Sequence, residues 1–595
     1  MNTETKQCQN CHLKFTIEPD DFSFYEKIKV PPPTFCPDCR LVRRMSWRNT
    51  WHLYKKQDAK TGQEIFSVFP SDSPVKIYER DYWASDAWDP LEYGRDIDWS
   101  RPFLSQVAEL LQEVPLPAHS AQSVVNSEYC TNASYIKNCY FSRALAHTED
   151  CAYVIWDESS KQCMDSHMTD HCELGYGNVN CTRCYKAFFS VNCEDCRDVT
   201  FSKDCVGCSD CLGCVGLRSK SYCIFNIPYT KEEYVTKLGT LDLGSKKAFE
   251  ECRERAVELW SKFPVKFMQG LQNTRVSGDY IYNSKNAKYC WRVKGVEDSK
   301  YCLNMLSGPV KDCYDYANWG GGSELIYEGL VCGDQTSNIK FSWNCFGGAK
   351  NIEYSIFCHG AADVFGCVSI RRKQYCILNK QYSKEEYEKL VPKIIEHMKT
   401  MPYRDRKGRE YCYGEFFPSE LSPFPFNISE AYELSPKTKE EAIAEGLEWR
   451  EEAKREYVAT KQPDKLPDRI KDASEEILQE VIACDHKRIC QEECTGAFRI
   501  IERELEFLKR FNIPLPNLCP NCRHYSRLAL RNIPKFFKRA CHCAGEKSEN
   551  GVYMNTGAHP SHAKGEHCSN EFETSYAPER PEIVYCEQCY QSEVA

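Results

Sequence analysis

No stretch of this sequence approaches 18 uninterrupted apolar residues, so a membrane-spanning helix is not expected. Met1 to Phe15 is polar, already contains Cys8 and Cys11, and lacks the apolar core of a secretory signal. A cytoplasmic chain is the expectation. A strong charge of one sign is also missing: 77 Lys and Arg stand against 86 Asp and Glu, and a net charge of −9 is small for 595 residues. No global basic field argues for nucleic acid. The sequence holds no phosphate-cradling glycine loop, no His-Glu-x-x-His and no nucleophile elbow. His119, His147, His167, His171 and His359 stand apart from one another and read as structural. Aromatic residues are not scarce. At 13% they are too frequent for a disordered chain. At about 100–200 residues per domain, the length suggests three to five domains.

What the sequence has in excess is cysteine, 38 residues in all. In a cytoplasmic chain disulfides are rare and metal binding is the better expectation. Cys8-Gln-Asn-Cys11 and Cys36-Pro-Asp-Cys39 are two thiolate pairs on tight turns, with room for a hairpin between them. Together they supply four soft ligands to a tetrahedral, closed, structural Zn²⁺.

The far end of the chain repeats this pattern at a shift of 483. Cys494, Cys519 and Cys522 match Cys11, Cys36 and Cys39, and "FCPDCRLVRRMSWRN" faces "LCPNCRHYSRLALRN". The first knuckle departs, because Cys490 lies four positions before Cys494. The expected second site is Cys490, Cys494, Cys519 and Cys522, with Cys484 and His486 as alternatives to Cys490. CxxC, a Lys-rich middle after Phe24-Tyr25 and Pro-x-x-Cys-Pro-x-Cys-Arg resemble the probable zinc-ribbon domain family. The whole chain looks like the large zinc-ribbon proteins of candidate-phylum bacteria. The zinc-ribbon match covers only the knuckle-to-knuckle stretch at each end. The resemblance implies metal binding and no reaction.

The copy extends further. Asp58 and Lys60 align with Cys541 and Cys543, while Glu79 and Tyr82 align with Cys586 and Cys589. Cys541, Cys543, Cys586 and Cys589 form a third expected zinc site, present only in the C-terminal copy. Cys568, His559, His562 and His567 lie between the pairs, and one of them is an alternative ligand. Two to three structural Zn²⁺ ions are therefore expected.

After each second knuckle, Arg40, Arg44 and Arg48, and likewise Arg523, Arg527 and Arg531, recur at i, i+4, i+8 and share one helical face. Trp47, Trp51, Tyr54, Tyr525, Phe536 and Phe537 interleave the charges. One reading is phosphate contact with base stacking, suited to RNA or single-stranded DNA. The other is a salt-bridged face packed on the acidic remainder of the chain.

In the middle, Cys130, Cys151, Cys172, Cys193 and Cys214 lie 21 apart, and Cys139, Cys163, Cys181, Cys205 and Cys223 fall between them. Such a period means stacked coils. Short β-rich segments with Asn, Asp and Gly turns suit a parallel β-helix. Cys151, Cys172 and Cys193 should lie above one another if the step of 21 is one coil. If the coil is instead a step of 9 or 12, Cys139, Cys163 and Cys181 join them. The pairs 181/184, 193/196, 205/208 and 211/214 also permit metal or an iron–sulfur cluster. "YCIFNIPYTKEEY" (222–234) returns as "YCILNKQYSKEEY" (375–387), so a second copy follows at a shift of 153. Thr230 and Ser383 are expected to cap charged helices that cover the ends of the stacks.

The expected architecture is a multidomain, β-rich α+β chain. Its N-terminal zinc-ribbon module covers 1–118, β-solenoid 1 covers 119–228 and a helical connector covers 229–275. β-Solenoid 2 covers 276–383, a helical and extended connector covers 384–460, and the C-terminal zinc-ribbon module with its additional zinc site covers 461–595. A charged helix is expected over 436–458. The expected function is a zinc-binding, non-catalytic scaffold whose partner is nucleic acid or protein. The alternatives are a carbohydrate-active β-helix enzyme, for which Asp195, Asp198, Asp204 and Asp210 are available, or a Cys-rich metal-storage or redox protein.

Overall fold

From Asn132 a left-handed residue recurs at every third position. Asn132, Tyr135, Asn138, Phe141, Ala144, His147, Asp150 and Tyr153 all have φ between 46 and 57°. Asn and Asp tolerate this conformation because their short polar side chains bond locally. Each such corner turns the next residue inward, which buries Ala133, Ile136, Cys139, Leu145, Cys151 and Val154. Four triplets close one coil, and the coils pair in parallel: Thr131 with Arg143, and Arg143 with Ile155. The computed structural model describes all residues except 1, 128, 452–456, 491, 561, 564 and 595.

The coil of four triplets corrects the expected stack. A step of 12 is one coil and a step of 9 is three of its four sides. The rhythm of 21 therefore walks around the coil, and Cys151, Cys172 and Cys193 fall in three different columns. Cys139, Cys151 and Cys163 share a column, where the Cys163 N–H donates to Cys151 Sγ at 3.2 Å. Cys181 does not join them; it stacks with Cys193 and Cys205.

The first stack runs from strand Ala121–Val125 to Ser221–Ile224, and the second from Gly270–Leu271 to Gln374–Ile377. In the second, the step between paired strands grows from 12 (Gly278 to Cys290) to 14 (Val296 to Val310), falls to 13 (Val310 to Ser323) and returns to 12 (Lys350 to Ala362). The two extra residues of the step of 14 lie between Met305 and Val310, and Gly320, Gly321 and Gly322, with φ of 108, 69 and 81°, turn the corner of the following step of 13. This is why cysteine spacing is irregular in the second copy. Corner amides also stack: Asn180 donates to Asn192 (2.9 Å), and Asn192 to Asp204 (3.0 Å).

Each stack ends under a capped helix. Thr230 and Glu233 form a reciprocal capping box on Lys231–Thr240, as do Ser383 and Glu386 on Lys384–Thr400. Tyr234 and Tyr387 pack on Tyr222 and Tyr375 of the last coils. The connector before the second stack is helical only to Ser261. Of the charged helix expected over 436–458, Lys439–Ala444 is helical and 445–451 is not; 452–456 lie outside the described residues. The chain is thus β-rich and mixed α/β, with long parallel ladders and separate small hairpin-and-helix units at both ends. Among the described residues no helix is long and apolar enough to cross a membrane.

Candidate metal centres

Three sets of four cysteines share one local construction. In the first, hairpin Glu4–Gln7/Lys14–Ile17 carries Cys8 and Cys11 in its turn, and Cys36 is the N-cap residue of helix Pro37–Met45, with Cys39 in its first turn. Pro37 suits that first helical position, where no N–H is needed. The Cys36 N–H donates to Cys8 Sγ at 3.3 Å, and the Asn10 amide to Cys39 Sγ at 3.2 Å. The four sulfurs lie within 4.8 Å of one another, with Cys11 and Cys36 at 3.7 Å. A tetrahedron with metal–sulfur bonds of about 2.3 Å has edges of about 3.8 Å, so the set fits one closed Zn²⁺-type ion.

The second set is Cys484, Cys494, Cys519 and Cys522. Cys519 is the N-cap of Pro520–Leu528 and its N–H donates to Cys484 Sγ at 3.2 Å, as Cys36 does to Cys8. This corrects the expected ligand Cys490. Strands Ile482–Ala483 and Ala497–Phe498 pair antiparallel, and Cys484 and Cys494 sit where they part. Cys490 lies in the longer turn between, 3.7 Å from Cys522 and grouped with His486 and Glu492.

The third set is Cys541, Cys568, Cys586 and Cys589, all buried. Hairpin Phe537–Ala540/Glu571–Thr574 brings Cys541 and Cys568 together at its mouth, and the Cys586 N–H donates to Cys541 Sγ at 3.2 Å ahead of helix Glu587–Val594. Cys568 therefore takes the place expected for Cys543, which turns to His559 and His562 instead. His567 belongs to neither group. In the N-terminal copy the matching positions hold no thiol. There Glu79 accepts the N–H groups of Asp81 and Tyr82 to cap Arg80–Ala84, and Lys60 Nζ lies 5.5 Å from the Tyr82 ring centre.

One thiol in each set is held well below the ordinary range by side-chain hydrogen bonding with its neighbours: Cys8 with Cys36 and Cys39, Cys519 with Cys484 and Cys522, Cys586 with Cys541 and Cys589. Thiolate is the metal-binding form. Some coil cysteines are lowered in the same way, Cys181 by Cys184 and Cys193, and Cys208 by Cys196 and Cys205, so what sets the cysteines of the coil stacks apart is their placement. Among the described residues none belongs to a candidate ligand group, and their thiols donate to carbonyls further along the coil, as Cys181 does to Ser190 and Cys193 to Ser202 at 3.4 Å.

The arginines expected to face nucleic acid point inward. Arg40 meets Asp315 at 2.9 Å, Arg44 meets Asp315 at 3.2 Å, and Arg48 meets Glu430 at 3.1 Å. Arg523 meets Asp165 at 2.6 Å and Glu504 at 2.5 Å, Arg527 meets Asp165 at 3.2 Å, and Arg531 meets Glu433 at 3.8 Å. None of the six is more than 8% exposed. Burial works against the charge on Arg40 and Arg523, and the facing carboxylates overcome it. Arg43, which the helical-face argument left out, joins Glu328 and Glu415 at 2.5 and 2.7 Å.

Between the stacks lies a cleft of about 580 Å³ edged by Trp156, Trp319 and Arg292. Of its two carboxylates, Asp157 turns into the core and accepts from Thr148 and Thr169, leaving Glu158. Asp195, Asp198, Asp204 and Asp210 are left-handed corner residues with φ of 51–53°.

No protein-family model and no curated protein matches the chain. Among solved structures that match, one from Desulfovibrio desulfuricans G20, described as an acetyltransferase, is 10% identical; the alignment covers 54% of this chain and 96% of that one with a TM-score of 0.09. At that score the likeness carries no argument.

Proposed function

We propose that the chain is a cytoplasmic, zinc-stabilised, non-catalytic scaffold in which zinc-ribbon modules at both ends clamp two parallel β-helical stacks. The carrying observation is the three closed four-cysteine sets, each placed at a hairpin mouth and a helix N-terminus. Four thiolates leave no coordination position for a substrate, and such ions supply folding energy directly. Soft all-sulfur tetrahedra suit Zn²⁺. All 38 cysteines are thiols, which fits a reducing compartment.

The arginine helices support the scaffold role and not a phosphate-binding one. The N-terminal helix locks into the second stack through Asp315, and the C-terminal helix into the first through Asp165. The partner in this reading is another protein, because the basic faces are consumed inside the fold. Elemental analysis of the purified chain tests the proposal. At least three zinc equivalents are expected, with chelation loosening the end modules to protease before the stacks. Zinc-free protein, or a gel shift of single-stranded RNA or DNA at low salt, would overturn it.

A further inference from the structure

Cys543, displaced from the third set, is not isolated. Its sulfur lies 3.2 Å from His559 Nδ1 and 3.3 Å from His562 Nε2, and His562 Nε2 lies 3.5 Å from Cys589 Sγ. All four ligand atoms fall within 4.8 Å of one another. We propose that the C-terminal module holds a second zinc ion on Cys543, His559 and His562, bridged to the Cys541–Cys568–Cys586 ion by the Cys589 thiolate.

The surroundings are those of a ligand set. A histidine that binds metal through one nitrogen donates from the other to a carboxylate or carbonyl. His559 Nε2 meets Glu593 Oε1 at 2.7 Å, and His562 Nδ1 meets the Ala563 carbonyl at 3.2 Å. Both rings therefore present their remaining nitrogen to the same point. The Glu593 side chain is out of water and accepts from the N–H groups of Thr556 (2.8 Å) and Gly557 (3.1 Å) and from the Tyr553 hydroxyl (3.1 Å). A carboxylate held in this way fixes the orientation of the His559 ring through that contact. Asn555 donates to Cys543 Sγ at 3.2 Å while accepting from Tyr585 at 2.8 Å, so the thiolate is oriented too.

The ion also accounts for the loop that carries the histidines. Residues 544–567 contain no helix and no strand ladder among those described, only the isolated bridge of Lys547 with Met554 and that of Ser548 with Cys543. A segment that long without its own regular structure needs an anchor, and two imidazoles on one ion provide it. Two sulfurs and two imidazole nitrogens form a donor set for zinc. With four protein ligands the position is closed, so the ion is structural.

This inference rests on the zinc reading above, and the test separates the two. The experiment uses the full-length His486→Gln protein, since His486 is the only other histidine in a candidate ligand group among the described residues. Its zinc K-edge absorption should show imidazole scattering beside sulfur. Adding His559→Gln and His562→Gln should abolish that scattering and remove one zinc equivalent, not two. All-sulfur zinc in the His486→Gln protein, or an unchanged zinc content in the triple variant, overturns the second ion and leaves the scaffold standing. Zinc-free wild type overturns both. If the triple variant fails to fold, the scattering of the His486→Gln protein alone decides.

Discussion

Arg40 on the first knuckle helix and Asp315 on a coil of the second stack meet at 2.9 Å with both side chains out of water. Arg523 and Asp165 repeat the relationship at 2.6 Å between the last module and the first stack. The duplicated ends thus cross over, each clamping the stack farther from it in sequence. Removing one partner of a buried pair strands the other charge, at about 3–5 kcal/mol. Asp315 keeps Arg44 at 3.2 Å and Asp165 keeps Arg527 at 3.2 Å, so Arg40→Met and Arg523→Met should each lower unfolding stability by about 3 kcal/mol, the low end of that range, in urea titrations, with zinc content unchanged. A loss within about 0.5 kcal/mol, the range of ordinary surface changes, would show that the pairs do not hold the modules.

Cys484→Ser should release one zinc equivalent, because its sulfur completes the second set and accepts the Cys519 N–H. Cys490→Ser should leave that ion in place. Mass-spectrometric metal analysis of the two variants decides the ligand. Release by Cys490→Ser with retention by Cys484→Ser would restore the spacing-based assignment.

The difference between those two cysteines shows how far the sequence could be read. The CxxC-helix half of each set was legible, because Cys36, Cys39, Cys519, Cys522, Cys586 and Cys589 sit at fixed spacing on one helix start. The other half depends on where two hairpin strands part, and the turns between them differ in length, so counting positions chose Cys490 and Cys543 over Cys484 and Cys568. The coil stacks were legible as repeats, but the rhythm of 21 mixes sides with coils, and only strand pairing separates them. The arginine stripe was visible as a helical face. Its partners, Asp315 and Asp165, lie far away in the chain, and nothing local marks them.

Asn192 tests the triplet corner. It is left-handed at φ 53°, donates to Asp204 at 3.0 Å and accepts from Asn180 at 2.9 Å. Asn192→Val forces a β-branched residue into that conformation at about 1–2 kcal/mol and removes ladder hydrogen bonds worth about 1 kcal/mol. Asn192→Gly loses the ladder but not the backbone freedom. The valine variant should therefore be the less stable of the two by roughly 1–2 kcal/mol in denaturant melts. Equal stabilities would mean that the corner is not a conformational constraint.

His359 sets a pH dependence in the second stack. Burial pushes its pKa down from the usual imidazole range to about 3, and its Nε2 lies 3.1 Å from the Asn344 carbonyl, to which a neutral ring donates. In the unfolded chain the imidazole titrates near about 6.5. Between those two values the unfolded state binds a proton that the folded state refuses, so stability falls as pH drops from about 6.5 toward 3, by at most about 1.4 kcal/mol per pH unit. Well above the unfolded value both states are neutral and the group contributes no slope. His359→Gln keeps a donor for Asn344 and cannot titrate. Its stability curve should run parallel to wild type from pH 8 to 7 and be shallower from pH 6.5 to 5. Acid release of zinc affects both proteins alike and cancels in the difference between them. Parallel curves across the whole range would mean that His359 takes up its proton within the fold, against the burial that surrounds it.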